Sequence, residues 1–499
     1  MPPIDCVVVG GGVAGLYAAW RLSSQASAST SSPRVSVFEH RSRLGGRIDT
    51  IKVGHSTARI ELGAMRFWTS QQLVTSLLDE LKIPIEDFPS DQEISSYFRG
   101  VHLRPQHYAQ PANVPYRLRG AEIGMNAGAL LGYALQQLAP EAGGSVTSDQ
   151  LEVVAGRPDL ARIGFWNALQ SVLSSEAYKL LLAGMGERSA LSNWHAGEAV
   201  RLMSFIAKSM QLKLQRPTQG FGSLIDALHT ELTSRGVQVS TDRRLVRIER
   251  ERTGTLSLVF QSHIGKIEKV AARTVILALP KRALERTFLR SYEALGSGHI
   301  QPLLKTVSVI SAFKVYTSYK KPWWTDAWGQ YGYTVTDLPI RQVYYGMGVG
   351  GSQADNQRIL LTTYADAEES LFWTPLVRPT TASGKAGSPG HPVVAYVTAL
   401  LEEVHDRWDL PDPEWWVCRD WGEEGGAWHA WKSGIDVPAT MQKIRQPMPN
   451  VPIFICGEAY SRMQGWIEGA LMSTEKMLEG APFSLSRPAW LPADYDLGP

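Results

Sequence analysis

Val7-Val8-Val9-Gly10-Gly11-Gly12-Val13-Ala14-Gly15 lies near the start of this 499-residue chain, and its reading decides the fold. The unbroken apolar run from Ile4 to Val9 predicts a parallel strand covered on both faces. Gly10, Gly12 and Gly15 then fit the pattern G-x-G-x-x-G. Gly10 permits a sharp turn, Gly12 lets the backbone approach a pyrophosphate, and Gly15 lets the next helix pack on the strand. That helix is expected over Ala14 to Leu22, with the free N–H groups around Val13 and Ala14 and the helix dipole facing phosphate. Alone, a glycine-rich turn is often no more than a turn.

Its neighbours add weight. A second apolar strand, Val35 to Phe38, ends in Glu39. An acid at this place accepts hydrogen bonds from a ribose diol and repels a 2′-phosphate. The Ser/Ala run between the two strands, Ser23 to Ser32, reads as a flexible surface insertion. Next comes Arg43-Leu44-Gly45-Gly46-Arg47, with Arg41 just before it. Close backbone approach at the glycines and guanidinium groups beside them suit phosphate oxygens.

A chain this long exceeds one core, so interleaved domains are expected. The expected class is α/β with α+β insertions. A discontinuous Rossmann-like dinucleotide domain would be formed by residues 1–69, 216–300 and 421–481. A helical insertion (70–215), a substrate-binding domain (301–420) and a tail (482–499) complete the division. Helices are expected over Ser70 to Leu81, through most of Glu122 to Gln215 with breaks at Gly143-Gly144 and Pro158, and up to Leu232. Strands are expected over Gln238 to Ile248, Leu256 to Phe260, Ile267 to Val270, Thr274 to Leu279, Val307 to Tyr319 and Ile453 to Cys456, with an exposed loop over Ala382 to His391.

The formal charge of +2 gives no reason to propose nucleic acid or an acidic membrane as partner. Cys6, Cys418 and Cys456 are odd in number and widely spaced, which argues against a disulfide framework or a metal site. A reducing, cytoplasmic setting is the expectation. No apolar run approaches bilayer length, and the Pro-rich polar tail is no anchor.

The chain resembles the flavin-containing amine oxidase superfamily over nearly its whole length. The resemblance rests on Gly10-x-Gly12-x-x-Gly15, Glu39, Arg43-x-Gly45-Gly46-Arg47, Leu62-Gly63-Ala64-Met65-Arg66 and Gly457-Glu458…Gly465-Trp466-Ile467-Glu468-Gly469-Ala470. Arg66 makes L-amino acid oxidases the most similar members, and the fold implied is glutathione reductase-like. The cofactor implied is FAD. Glu39 would hold the ribose, Arg43 and Arg47 would lie along the pyrophosphate, and Val246 would receive the adenine. Glu458, after Gly457, would meet the phosphate–ribityl region. Gly63, Ala64, Met65 and Arg66 would lie against the flavin. The N–H groups of Trp466 and Ile467 would face the flavin N1–C2 edge. Ala427 stands where some members carry a flavin-bonded cysteine, which implies noncovalent FAD.

The resemblance also assigns chemistry. Trp428 and Trp466 would flank the substrate nitrogen, with core packing as the plain alternative. Lys314 would order a water near flavin N5, with Lys305 as competitor. The two are nine residues apart and would face opposite ways on one strand. Tyr345, with Tyr344 as the register alternative, would take the substrate carboxylate beside Arg66. A structural Arg66–Glu61 pair is the alternative to that carboxylate site.

The activity implied is oxidative deamination of an L-amino acid, with hydride passing from Cα to flavin N5. Hydrolysis of the imine gives a 2-oxo acid and ammonia, and O₂ is reduced to H₂O₂. A large apolar or aromatic side chain is expected, since the insertions are aromatic-rich and show no second cationic cluster for an acidic substrate. An amide-forming amino acid 2-monooxygenase, an amine oxidase and a catalytically silent FAD-binding scaffold stay open as alternatives. A homodimer stays open too.

Overall fold

The computed structural model describes all residues except 1, 25–32, 55, 90–93, 143–147, 210–212, 252–253, 297, 299, 326–331, 378–380, 386–390 and 423–424. Most of the Ser23 to Ser32 run, the Gly143-Gly144 break and the middle of the Ala382 to His391 loop lie outside the described residues.

The opening apolar run forms the strand Ile4–Val9 inside a seven-stranded sheet. Its parallel neighbours are Val35–Phe38 on one side and the C-terminal half of Ile267–Leu277 on the other. Gln238–Ser240 adds to Val35–Phe38 in parallel, and Ile453–Ile455 adds to Ile267–Leu277. Ile4–Val9, Val35–Phe38 and Ile453–Ile455 are largely apolar because helices cover both faces. The helix Val13–Ser23 packs on one face together with Ile467–Glu479 and Gly222–Ser234.

Sequence reading divided this sheet differently. Ile267–Leu277 is one strand, not two. Its first half pairs antiparallel with Leu256–Gln261, and its second half runs parallel in the nucleotide sheet. Ala271-Ala272-Arg273, which reads as a gap between two strands, passes through the change without a turn. Gln238 to Ile248 is conversely two strands, Gln238–Ser240 and Arg244–Arg250, separated at Asp242, whose φ is +53°.

A second sheet has eight strands, in the order Thr381–Lys385, Trp415–Asp420, Ala312–Ser318, Ile359–Asp366, Gln342–Tyr345, Gly332–Thr336, Ile94–Phe98 and Val101–Leu103. The expected strand Val307 to Tyr319 breaks at Ser311. Val307–Ile310 pairs with Trp428–Trp431, whereas Ala312–Ser318 enters the eight-stranded sheet. Helices Ala127–Leu138, Phe165–Val172, Ser175–Gly184 and Ala196–Ser209 form the helical insertion. The helical run is interrupted before Pro158: Ser148–Ala155 ends there and Pro158 starts the next short helix.

The tail is a packed strap. Leu485, Leu491 and Leu497 are buried, and Trp490 packs against Tyr17 and Trp20. Among the described residues no helix is long and apolar enough to cross a membrane. The three cysteines are buried and free.

Candidate active site

A cavity of about 480 Å³ runs from the glycine turn to the edge of the second sheet, within the roughly 300–1,000 Å³ of ligand sites. Its first wall is the turn itself. Gly10 has φ +112°, and a Cβ there would stand 2.4 Å from the Ala278 carbonyl oxygen. A Cβ on Gly15 would stand 1.9 Å from the Gly10 oxygen, so Gly15 serves helix packing and does not line the cavity. Gly12 differs: the nearest atom to its would-be Cβ is 3.9 Å away, and the space beside it belongs to the cavity. Val13 and Ala14 also line it, at the start of a helix without a side-chain cap. Its first-turn N–H groups are left for a ligand.

Glu39 closes the next wall. Its carboxylate accepts the Gly11 N–H at 2.6 Å and the Arg41 N–H at 2.9 Å, and it faces the cavity. Val246 lies opposite the break in pairing between Arg244–Arg250 and Leu256–Gln261, where Leu245 and Arg247 have partners and Val246 has none. A bulge of this kind frees backbone polar groups for a ligand. Arg41, Gly46 and Arg47 line the middle of the cavity. Arg43 does not. Its guanidinium turns inward onto the carbonyls of Leu44, Gly46 and Ile48 and onto Asp49, so it braces the loop instead of facing phosphate.

Gly457 and Glu458 follow the last strand of the nucleotide sheet. Glu458 bonds the Arg47 guanidinium, lies 2.6 Å from His429 Nδ1, and accepts the Gly465 N–H at 3.0 Å. Burial works against its charge, but Arg47 and His429 beside it hold its carboxyl well below the usual range. Glu458 thereby ties the arginine loop to the start of helix Ile467–Glu479. Trp466 is the N-cap of that helix, no side chain caps it, and Trp466 and Ile467 line the cavity. Glu468 is spent elsewhere: it accepts the N–H groups of Leu73 and Val74 and bonds Tyr495 of the tail.

At the far end stand Gly63, Ala64, Trp428, Trp466, Lys314 and Tyr364. Lys314 Nζ donates to the Gly63 carbonyl at 2.6 Å and lies 4.9 Å from the centre of the Tyr364 ring. Burial lowers its pKa to about 7. Lys305 sits ahead of Val307–Ile310, exposed to solvent, because the two lysines are on separate pieces of chain. Met65 also stays off the cavity lining. It packs beneath Lys314, with its sulfur 3.6 Å from Nζ.

Arg66 lies beyond this wall. Its Nη1 donates to the Tyr344 hydroxyl at 3.1 Å, and its guanidinium sits 5.5 Å from each of the Phe88 and Tyr344 rings. Glu61 is not its partner. That carboxylate accepts the Phe221 N–H at 2.6 Å and the Thr50 hydroxyl at 2.8 Å. Tyr345, the favoured tyrosine, turns away from Arg66: its hydroxyl contacts Thr334 and His405, each at 2.8 Å, on the opposite face of the strand. Tyr344, the alternative, is the one whose hydroxyl meets Arg66.

Sequence reasoning missed Tyr364, Trp421 and Glu187. Trp421 lines the cavity and donates from Nε1 to the Leu62 carbonyl at 2.8 Å. Glu187 Oε1 stands 3.8 Å from Arg66 Nη2.

Comparison with known proteins agrees with this architecture. Aplysianin-A of Aplysia kurodai is 26% identical over 95% of this chain and 90% of its own. Achacin of Lissachatina fulica is 25% identical over 95% and 92%. An L-amino-acid oxidase of Demansia vestigiata is 23% identical over 99% and 90%. A double mutant from a structure-based redesign of cofactor binding in putrescine oxidase superposes with a TM-score of 0.70 at 18% identity, covering 95% of this chain and 98% of that one. The family model for flavin containing amine oxidoreductase matches residues 13–476. The glycine cradle, the acid Glu39 on the cavity wall and the uncapped helix starts fit FAD as its cofactor, and the chain belongs to the flavin-containing amine oxidoreductase family.

Proposed function

We propose that this protein is an FAD-dependent L-amino acid oxidase. The observation that carries the reading is Arg66. It is a guanidinium with 19% of its side-chain surface open, hydrogen-bonded to the Tyr344 phenol and close enough to Lys314 to disfavour that lysine's charge. An amine without a carboxylate has no use for such a group, whereas an α-carboxylate can take it bidentately. The relatives named L-amino-acid oxidase support the same reading.

FAD would lie with its adenine at Val246, its ribose on Glu39, its pyrophosphate at Gly10–Ala14 and Arg47, and its ring against Gly63, Ala64, Trp466 and Ile467. Bound there without a covalent link, it supplies a hydride acceptor that O₂ reoxidises to give H₂O₂. The residues do the positioning. Arg66 and Tyr344 fix the carboxylate and with it the direction of the Cα–H bond. Trp428 and Trp466 flank the nitrogen and keep bulk water out. Lys314, held near neutrality, orders water at the reacting face.

The test is an anaerobic panel of L-amino acids, D-amino acids and the decarboxylated amines, followed by bleaching of the flavin. L-amino acids should bleach it and the amines should not. Aerobic turnover should then yield 2-oxo acid, ammonia and H₂O₂. An amide with CO₂ and no peroxide would replace the oxidase with a monooxygenase.

A further inference from the structure

One acid beside Arg66 has no role in the reading so far. Glu187 follows Gly186, whose φ of +74° favours glycine and whose would-be Cβ would stand 2.7 Å from the Gln342 side chain. This turn ends the helix Ser175–Gly184 and brings the Glu187 carboxylate to the guanidinium. The separation of 3.8 Å exceeds a hydrogen bond, and 34% of the Glu187 side-chain surface remains open. Among the described residues no group donates a hydrogen bond to this carboxylate. Arg66 is its ion-pair partner, and Lys314, the hydroxyls of Tyr333, Tyr344 and Tyr364, and the acid Asp366 lie close enough to it for their charges to interact.

We propose that Glu187 receives the α-ammonium of the substrate while Arg66 holds its α-carboxylate, so that the two side chains together read the zwitterion. This rests on the amino acid reading above. The geometry follows from covalent structure. With N–Cα and Cα–C bonds near 1.5 Å and an angle near 111°, the ammonium nitrogen sits about 2.5 Å from the carboxyl carbon. A carboxylate seated on Arg66 therefore brings its own ammonium within reach of an acid 3.8 Å from the same guanidinium. The charges match in order: cation to carboxylate, anion to ammonium.

The same contact gives the ammonium proton a destination. Hydride loss from Cα requires an uncharged amine. An N–H bond of the ammonium breaks and an O–H bond forms on Glu187, leaving a neutral amine and a neutral carboxyl with no electrons exchanged. Two features narrow the gap between acid and base. Burial raises the Glu187 carboxyl, against the pull of Arg66 and Lys314. The Arg66 guanidinium also disfavours a second positive charge beside it on the substrate.

The test separates binding from turnover. The holoenzyme is titrated calorimetrically with 2-aminoisobutyrate, a zwitterion without a Cα–H, and with isobutyrate, the same skeleton without the ammonium. Wild type should bind the zwitterion about tenfold or more tightly than the plain acid, the scale of one charge-assisted contact. Glu187→Gln should bring the two within about threefold of each other, chiefly by weakening the zwitterion. Glu187→Asp should restore part of the preference, which also controls for folding. For oxidisable amino acids, kcat/KM of Glu187→Gln should fall at least about tenfold and lose its acid limb. Undiminished zwitterion preference in Glu187→Gln overturns the assignment. Failure of the amino acid reading would show earlier, in wild type, as no flavin bleaching by any amino acid.

Discussion

Replacing Arg66 by lysine keeps the charge and removes the fork. In the free protein Arg66 Nη1 is 3.1 Å from the Tyr344 hydroxyl and Nη2 is 3.8 Å from Glu187. Both nitrogens thus stand where one carboxylate could be gripped twice. A lysine nitrogen can make one of those two bonds. Losing a charge-assisted hydrogen bond costs about 1.5–3 kcal/mol, roughly a 10- to 150-fold fall in kcat/KM. Folding should suffer less. The change removes one hydrogen bond to a neutral phenol and the arginine's stacking between Phe88 and Tyr344, together on the order of 1 kcal/mol. The assay is oxygen consumption with L-amino acids and with their decarboxylated amines, plus the rate of anaerobic flavin bleaching. Wild type should prefer the amino acid strongly, and Arg66→Lys should lose most of that preference while keeping its FAD. An unchanged kcat/KM, or wild-type oxidation of amines as fast as amino acids, would refute a carboxylate site at Arg66.

Other outcomes follow from the same geometry. Acid precipitation should release all the yellow colour, since Ala427 lines the cavity where the resemblance would place a flavin-bonded cysteine, and none of the three buried cysteines lines it; colour left in the pellet would mean a covalent link. Lys314→Met should slow flavin reduction or reoxidation about tenfold or more and flatten a pH limb near 7. Because the folded lysine loses its proton near 7 and the unfolded one near 10.5, wild-type stability should rise with pH across that window relative to the variant, as read by denaturant midpoints. Tyr344→Phe should raise KM for amino acids. Tyr345→Phe should leave KM alone and cost about 1–3 kcal/mol of stability through Thr334 and His405. Trp466→Ala should cut turnover far more than FAD content, and wild-type turnover in it would reduce that ring to core packing.

Much of the nucleotide sheet was legible because its signals are local. An apolar strand, a turn that needs glycine and an acid at the end of the next strand are each written in consecutive residues. What local pattern does not record is the partner. Ile267–Leu277 reads as two strands since Ala271-Ala272-Arg273 in its middle are weak strand formers, yet the chain continues straight while its neighbours change from antiparallel to parallel. Val307 to Tyr319 reads as one strand since no Gly, Pro or other turn signal interrupts it, yet Ser311 carries the chain from one sheet to another. That change separates Lys305 from Lys314 more completely than any argument from strand phase.

The same distinction divides the site. Glu39 and Glu458 could be found because each follows a buried strand directly, so the strand aims it. Tyr344 and Tyr345 could not be told apart, because adjacent residues on a strand face opposite ways and both faces here accept an aromatic ring. The choice is made by the partners: Tyr333 stacks on Tyr344 at 5.0 Å, while Thr334 and His405 claim the Tyr345 hydroxyl. Arg43 shows that a basic residue in a phosphate-like loop can be consumed by the loop's own carbonyls, a demand no spacing reveals. Glu187 lies further from any pattern. It belongs to a turn between helices, and its carboxylate meets Arg66, 121 positions earlier, only after the helical insertion has folded over the second sheet. Groups that grip a cofactor's phosphates sit on the turns that begin helices and end strands, where sequence speaks. Groups that choose the substrate come from whichever surfaces close over it, and only the folded chain brings those together.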